Sequence, residues 1–283
     1  MGNATNEQTT QKSDAGGLTV GIAGLGAIGL PVARWLDAGV PGLTLTAASS
    51  SSNDKVRTLT QDFRRLPSAV ALGELADHAD VVVEALPPDR FAELAEPVIR
   101  AGKTLIVVSM TQLLANRHLV DLARQTGARI IGATGALAGL DAVRAAAKGT
   151  PGRVIMRTRK PPAGLANAAF VRESGIDMAG LKEPKRLYAG TVTDAAQKFP
   201  ANVNVAVALS LAAWGPEKTE YEVWADPTLD RNTHTVRVET DDVRLEITME
   251  NIPSDENPAT GRITPLSVMA TLERLVAPLT IGT

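Results

Sequence analysis

A glycine-rich turn between a short apolar run and an amphipathic stretch constrains this chain more than any other feature. The run Leu18–Ala23 is typical of a buried β-strand, and Gly24, Gly26 and Gly29 follow it with the spacing G-x-G-x-x-G. Residues 30–38 then have helical periodicity. In such a turn the first glycine permits the tight bend, the second lets a pyrophosphate approach the backbone, and the third lets the helix lie against the strand. The three elements together predict a dinucleotide-binding unit of the Rossmann type.

The first half of the chain continues this alternation of strands and helices. Further apolar runs near residues 43–48, 79–85, 103–109 and 128–132 alternate with helical stretches near residues 54–65, 90–100 and 116–126. Strands that are apolar along their whole length are typical of a parallel sheet covered on both faces. We therefore predict an α/β fold, with a doubly wound parallel sheet and a second, smaller α/β (α+β) domain.

The predicted organisation has four parts. Residues 1–17 are polar and are expected to form a disordered tail. Residues 18–133 form the Rossmann domain, and residues 134–264 form a domain for catalysis and dimerisation. Residues 265–283 contain a C-terminal helix that we expect to pack back on the Rossmann domain.

The end of the second predicted strand bears on the choice of cofactor. An NAD site usually has a carboxylate there, but this chain has serines and no carboxylate before Asp54. The serines can bind a 2′-phosphate, whose charge Lys55 or Arg57 can offset. We therefore predict an NAD(P) cofactor with a preference for NADP. The predicted cofactor-binding residues of this half are Gly24, Leu25, Gly26, Ala27, Ile28, Gly29, Ser49 and Ser50.

Composition excludes several classes of protein. The chain has no cysteine, which excludes disulfides, thiolate-bound metals and thiol catalysis. Three scattered histidines do not make a three-histidine metal site, so no metal is expected. The balance of 29 Lys+Arg against 31 Asp+Glu argues against a general nucleic-acid binder. No apolar stretch approaches the roughly 20 residues of a membrane span, so we expect no membrane contact. A cytoplasmic protein fits the absence of cysteine most simply.

Four segments of the second half combine unusual residues. They begin at Gly135 (G-A-L-A-G-L-D), Phe199 (F-P-A-N-V-N-V), Asp226 (A-D-P-T-L-D-R-N-T-H with the preceding alanine) and Glu250 (E-N-I-P-S-D-E-N-P). Asn202 can cap the helix that it begins, and Asn204 in its first turn can contact a ligand such as a nicotinamide carboxamide. His234 is the histidine with a polar, motif-like context, whereas His78 and His118 are predicted to lie on the surface.

Together these segments resemble the L-aspartate dehydrogenase family, over about residues 18–275. The resemblance implies reversible oxidative deamination of L-aspartate to oxaloacetate and ammonia through iminosuccinate, with NAD or NADP. In some organisms iminosuccinate feeds NAD biosynthesis. The resemblance also implies that His234 is the catalytic histidine. The nicotinamide-side contacts fall on Asn204 and on the turn that contains Ala136 and Ala138.

The predicted chemistry requires further groups. A histidine with a pKa near neutrality suits the proton transfers at an imine. The two carboxylates of aspartate need cationic or N–H donors. Lys160 and Thr158 share a strand face and are candidates, with Lys160 first, together with Asn232. Arg231, which adjoins Asn232, is a weaker candidate. The other interpretation of Lys160 is a solvated lysine at a strand end.

A homodimer is also expected. The strands between residues 220 and 250 present an apolar face with few predicted helices to cover it. Its residues are Val223, Val236, Val238, Leu245 and Ile247.

Two other functions compete with this interpretation. The first is another two-domain NAD(P)-dependent reductase, similar to dihydrodipicolinate reductase or homoserine dehydrogenase. Such enzymes share the Rossmann half but not the R-N-x-H arrangement found here. The second is a dinucleotide-binding sensor without catalytic activity, against which the presence of both His234 and the three glycines argues.

Overall fold

The first half of the chain forms a parallel sheet. In the computed structural model, which describes residues 17–166, 168–199, 203–254, 256 and 260–282, six strands build it. They are β1 (Leu18–Ala23), β2 (Leu43–Ser49), β3 (Ser68–Ala69), β4 (Val81–Glu84), β5 (Thr104–Val107) and β6 (Arg129–Gly132). All neighbours pair in parallel, in the order β3-β2-β1-β4-β5-β6. This is the strand order of dinucleotide-binding folds, and it confirms the predicted class.

Helices cover this sheet. They are α1 (Gly29–Asp37), α2 (Asn53–Thr60), α3 (Leu75–His78), α4 (Phe91–Arg100), α5 (Met110–Ala115) and α6 (His118–Thr126). The helix predicted near residues 54–65 ends earlier, at Thr60. The carboxylate of Asp37 accepts hydrogen bonds from the backbone N–H groups of Arg64 and Arg65 at 3.0 and 3.1 Å, which holds that segment in a loop. Helix α5 was not predicted.

The second half forms a mixed sheet of five strands. They are β7 (Arg153–Lys160), β8 (Lys185–Thr191), β9 (Thr219–Ala225), β10 (Asn232–Glu239) and β11 (Arg244–Asn251). Their order is β11-β10-β7-β9-β8, in which β7 and β9 are parallel and the other pairs are antiparallel. The associated helices are α7 (Leu140–Ala146), α8 (Ala169–Glu173), α9 (Val192–Lys198) and α10 (Asn204–Ala212).

One face of the second sheet packs on helices of the same chain, and we call it the inner face. Val223, Val236 and Val238 lie on it and are at most 2% exposed, in one core with residues of α7, α9 and α10. The expectation that these valines form an uncovered apolar face is therefore wrong. Leu245 and Ile247 on β11 are half-buried.

The last helix, α11 (Ile263–Arg274), returns to the first sheet. Its Val268 and Leu272 are fully buried in one cluster with Val32 and Leu36 of α1. Among the described residues, no helix combines the length and apolar character that crossing a membrane requires.

Candidate active site

The glycine turn between β1 and α1 has the geometry that its spacing predicts. Gly24 has a φ of 92°, and a Cβ there would collide with the carbonyl oxygen of Ala85. A Cβ on Gly29 would collide with the carbonyl oxygen of Gly24. A Cβ on Gly26 would meet no atom within 4 Å, because this position faces an open groove. Two glycines therefore maintain the turn, and the one between them keeps space for a ligand.

The groove over this turn suits a dinucleotide. It encloses about 490 Å³ and is bordered by residues 24–28 and by the loops after β2, β4 and β5. Helix α1 has neither a side-chain cap nor an acidic residue in its first turn. Its N–H groups and positive end are therefore available to a phosphate.

The loop after β2 holds the far end of the groove. Ser50, Ser51 and Lys55 border it, and the described lining residues include no carboxylate. Arg57 instead pairs with Asp54 at 3.0 Å. Ser49 is 2% exposed, and its carbonyl oxygen accepts a hydrogen bond from the backbone N–H of Gly24 at 2.9 Å, which ties the end of β2 to the glycine turn. Ser50, the first residue after β2, lines the groove, whereas Ser49 is buried and does not, which corrects the expectation for Ser49.

A second, smaller cavity of about 180 Å³ opens on the inner face of the second sheet. Lys160 at the end of β7, together with Asn232 and His234 at the start of β10, lines one side of it. Each of the three is 4% exposed. The solvated interpretation of Lys160 is thus excluded. The sheet register that pairs His234 with Thr158 brings these residues together.

Burial controls the charges in this cavity. It lowers the pKa of Lys160 to about 8. Burial, and then the charge of Lys160, lower the pKa of His234 to about 3. The expectation of a histidine pKa near neutrality is therefore wrong for the site without a ligand, in which His234 is neutral.

Thr158 lies behind His234 and does not reach the cavity. It is 1% exposed, and its Oγ1 lies 3.0 Å from Nδ1 of His234. Although it shares a strand face with Lys160 as predicted, the structure places it against the imidazole and not against a substrate.

Of the residues predicted to contact the nicotinamide, Asn204 and Ala136 line a cavity and Ala138 does not. Asn204 borders both cavities, and its Oδ1 accepts from the backbone N–H and the hydroxyl of Thr111 at 3.0 and 2.8 Å. The amide N–H groups of Asn204 are therefore the donors that can meet a ligand. Ala136 lines the smaller cavity, whereas Ala138 is exposed and lies outside both cavities as the described residues form them. Asn202 lies outside the described residues.

The two cavities meet. Ile28, Val108, Asn204 and Thr260 border both of them. A dinucleotide that extends from the glycine turn towards these residues would therefore place its inner end beside Lys160 and His234.

Two supporting side chains were not predicted. Glu84 at the end of β4 is fully buried, and burial raises its pKa. It accepts hydrogen bonds from the backbone N–H groups of Leu86, Val108 and Ser109, and from the Ser109 hydroxyl, at 2.9–3.1 Å. A carboxylate directly after three valines was the available signal. Asn251, which lies in the E-N-I-P segment, donates to the carbonyl oxygen of Ala136 at 2.8 Å.

Comparisons with known proteins identify the family to which both halves of the chain are related. Residues 24–132 match the family model described as homoserine dehydrogenase, NAD binding domain, and residues 141–275 match aspartate dehydrogenase, C-terminal. An L-aspartate dehydrogenase of Bradyrhizobium diazoefficiens is 48% identical over 97% of both chains. The chain belongs to the L-aspartate dehydrogenase family.

Other members support the assignment. L-aspartate dehydrogenase 3 of Bordetella bronchiseptica is also 48% identical, over 94% of this chain and 98% of that protein. The aspartate dehydrogenase structure from Thermotoga maritima superposes with a TM-score of 0.71 at 23% identity, covering 94% of this chain and 99% of that one. The fold of the family therefore extends over both sheets.

Proposed function

We propose that this protein is an NAD(P)-dependent L-aspartate dehydrogenase. It oxidises L-aspartate to iminosuccinate, which water converts to oxaloacetate and ammonia, and the reaction is reversible. One observation carries the proposal: a buried lysine, histidine and asparagine meet in a cavity that opens into the groove over the glycine turn. The 48% identity to an L-aspartate dehydrogenase supports the same substrate.

Different side chains of the site bind the substrate, act at the reacting centre and hold the cofactor. A bound nicotinamide supplies or accepts the hydride at Cα. Lys160 binds a carboxylate of the substrate, and Asn232 provides a second donor. His234 contacts the reacting centre and, as a neutral imidazole, donates a hydrogen bond to the oxygen or nitrogen that gains charge during imine formation and hydrolysis. Asn204 and Ala136 hold the nicotinamide end, while residues 24–29 and Ser50 hold the rest of the dinucleotide.

Reductive amination tests this function. Purified protein should oxidise NADPH in the presence of oxaloacetate and ammonium together, and not with either alone. It should leave aspartate semialdehyde, the substrate of a homoserine dehydrogenase, unreduced. His234→Ala should lower kcat by about 10²–10⁴-fold, while His118→Ala, which changes an exposed histidine of α6, should not lower it. A His234→Ala protein that melts lower yet turns over at the wild-type rate would rule out the catalytic role.

We also propose that NADP is preferred. The support is the groove end formed by Ser50, Ser51 and Lys55, where no described lining residue is acidic. A 2′-phosphate there would meet hydroxyl donors and an ammonium, whereas the 2′-hydroxyl of NAD would find no carboxylate. Dependence on a nicotinamide cofactor also fits the cytoplasmic location that we propose.

We further propose a homodimer formed by the second sheet. Its outer face, opposite the inner face, carries charges that alternate between strands: Arg153 pairs with Glu220 at 2.6 Å, and Arg157 pairs with Glu222 at 2.7 Å. In a symmetric dimer the same face meets itself, so that a rotated copy can set arginines against glutamates. Half-exposed Trp224, which lies near Arg157, adds apolar surface to this face.

A further inference from the structure

A chain of buried hydrogen bonds extends from the site into the second sheet. Thr158 on β7 pairs with His234 on β10, and Tyr221 lies on the other neighbouring strand, β9. The Tyr221 hydroxyl donates to Oγ1 of Thr158 at 2.9 Å, and that Oγ1 lies 3.0 Å from Nδ1 of His234. Tyr221 and Thr158 are each 1% exposed, so bulk water does not compete for these bonds.

The direction of the bonds follows from which atoms carry hydrogen. Burial raises the pKa of Tyr221, so its phenol stays protonated. Among the residues that the structure describes, Thr158 is the acceptor that this buried O–H reaches. A buried hydroxyl left without an acceptor is costly. The Thr158 oxygen therefore accepts from Tyr221, and its own hydrogen must point elsewhere.

The other neighbour of the Thr158 hydroxyl is Nδ1 of His234. If Thr158 donates there, Nδ1 must be unprotonated, and a neutral imidazole then carries its hydrogen on Nε2. We propose that Tyr221 and Thr158 are positioning residues which hold His234 as the Nε2–H tautomer, so that it presents a neutral N–H donor to the cavity.

This arrangement separates two roles within the site. The imidazole stays neutral because burial and the neighbouring Lys160 lower the pKa of His234 to about 3. Lys160 carries the positive charge, and His234 donates from Nε2 to an oxygen or nitrogen of the ligand. In the reverse tautomer both Nδ1–H and the Tyr221 hydroxyl would donate to Oγ1 of Thr158, and neither of these neighbours would accept the Thr158 hydrogen.

Nitrogen NMR on the full chain tests the tautomer directly. The chain has three histidines, and His78 and His118 are exposed, so His78→Gln/His118→Gln leaves His234 as the single histidine reporter. In histidine-labelled protein with NADP⁺ bound, we expect Nε2 to resonate as a protonated nitrogen and Nδ1 as an unprotonated acceptor. A protonated Nδ1 would overturn the proposal, whatever the substrate proves to be.

The kcat of Thr158 and Tyr221 variants tests whether these residues position His234. Thr158→Val should lower kcat by about 10–100-fold, as loss of the group that orients a site histidine does. Thr158→Ser keeps the hydroxyl and should restore most of the rate. Tyr221→Phe should lower kcat less, by about fivefold, the equivalent of one lost hydrogen bond. The Kd of NADPH should not change in any of these variants, because they leave the glycine turn intact.

Matched controls separate positioning from stability. Thr60→Val removes a buried hydroxyl that bonds only to its own helix, and Tyr188→Phe removes a phenol that bonds to a backbone carbonyl. Both should retain the wild-type kcat. A kcat for Thr158→Val within twofold of that for Thr60→Val would overturn the proposal. If Thr158→Val does not fold, Thr158→Ser, Tyr221→Phe and the nitrogen spectrum of the His78→Gln/His118→Gln protein still decide it.

The inference rests on the proposed function only for its kinetic part. If the wild type turns over neither aspartate nor oxaloacetate with ammonium, the proposed function fails while the spectrum still reports the tautomer. If turnover occurs but Nδ1 is protonated, the proposed function stands and the positioning role fails.

Discussion

At the scale of single residues, Lys160 sets how the site responds to pH. Its pKa of about 8 lies below the ordinary lysine value because the side chain is buried. The ammonium is thus present at pH 7 and is lost as the pH rises through about 8. His234, which faces it, is neutral over the same range.

This predicts a pH-dependent affinity for dicarboxylates. The Ki of succinate, which does not titrate above neutrality, should rise about tenfold per pH unit above the Lys160 pKa, because each unit removes nine-tenths of the remaining ammonium. Inhibition measured from pH 6 to pH 10 checks this. Lys160→Arg, which keeps its charge, should abolish the rise. The same rise in the arginine variant would assign the titration to another group.

Lys55 carries a second prediction at this scale. Lys55→Ala should raise the KM of NADPH about tenfold, because it removes the cation from the groove end, and should leave the KM of NADH unchanged. Arg57→Ala is the matched control: Arg57 lies two residues away and pairs with Asp54 outside the groove. Equal effects on both cofactors would show that Lys55 supports the loop and does not read the 2′-phosphate.

At the scale of elements, the turn between β1 and α1 separates two uses of glycine. Gly26→Val should abolish NADPH binding with little change in Tm, because its side chain would fill open groove space. Gly29→Ala should lower Tm, because its Cβ would collide with the Gly24 carbonyl. Cofactor fluorescence titration and thermal unfolding of both variants check this contrast. Unchanged affinity in Gly26→Val would show that the groove is not the cofactor site.

The elements also show what local sequence can predict. The strand, glycine turn and helix at residues 18–37 are encoded by residue spacings within twenty positions, so the sequence alone was enough to predict them. The contacts behind His234 join residues 76 and 63 positions apart, through the pairing of β7 with both β10 and β9. No periodicity specifies that pairing. The alternation of apolar and polar residues likewise predicts that Val236 points to one side of its strand. It does not predict that α10 covers that side.

At the scale of the whole molecule, the outer face of the second sheet predicts the state of assembly. Light scattering should give twice the chain mass of 29.7 kDa at micromolar concentration. Arg157→Glu should shift the mass towards that of one chain, because it sets like charges against each other across a symmetric contact.

Reversal of a charge elsewhere provides the control for this prediction. Arg100→Glu, on an exposed part of α4 far along the chain from the second sheet, should leave the mass unchanged. A wild-type mass of about 30 kDa would rule out the dimer. Equal effects of both reversals would assign the change to overall charge.

The return of α11 to the first sheet has a consequence during synthesis on the ribosome. Val268 and Leu272 cover α1, yet more than 230 residues separate them from Val32 and Leu36. The nascent first domain must therefore emerge with one apolar side of α1 bare and wait until the second domain has been translated. Over that interval the exposed patch is open to binding by a chaperone, and it closes only after residues 263–274 have been translated.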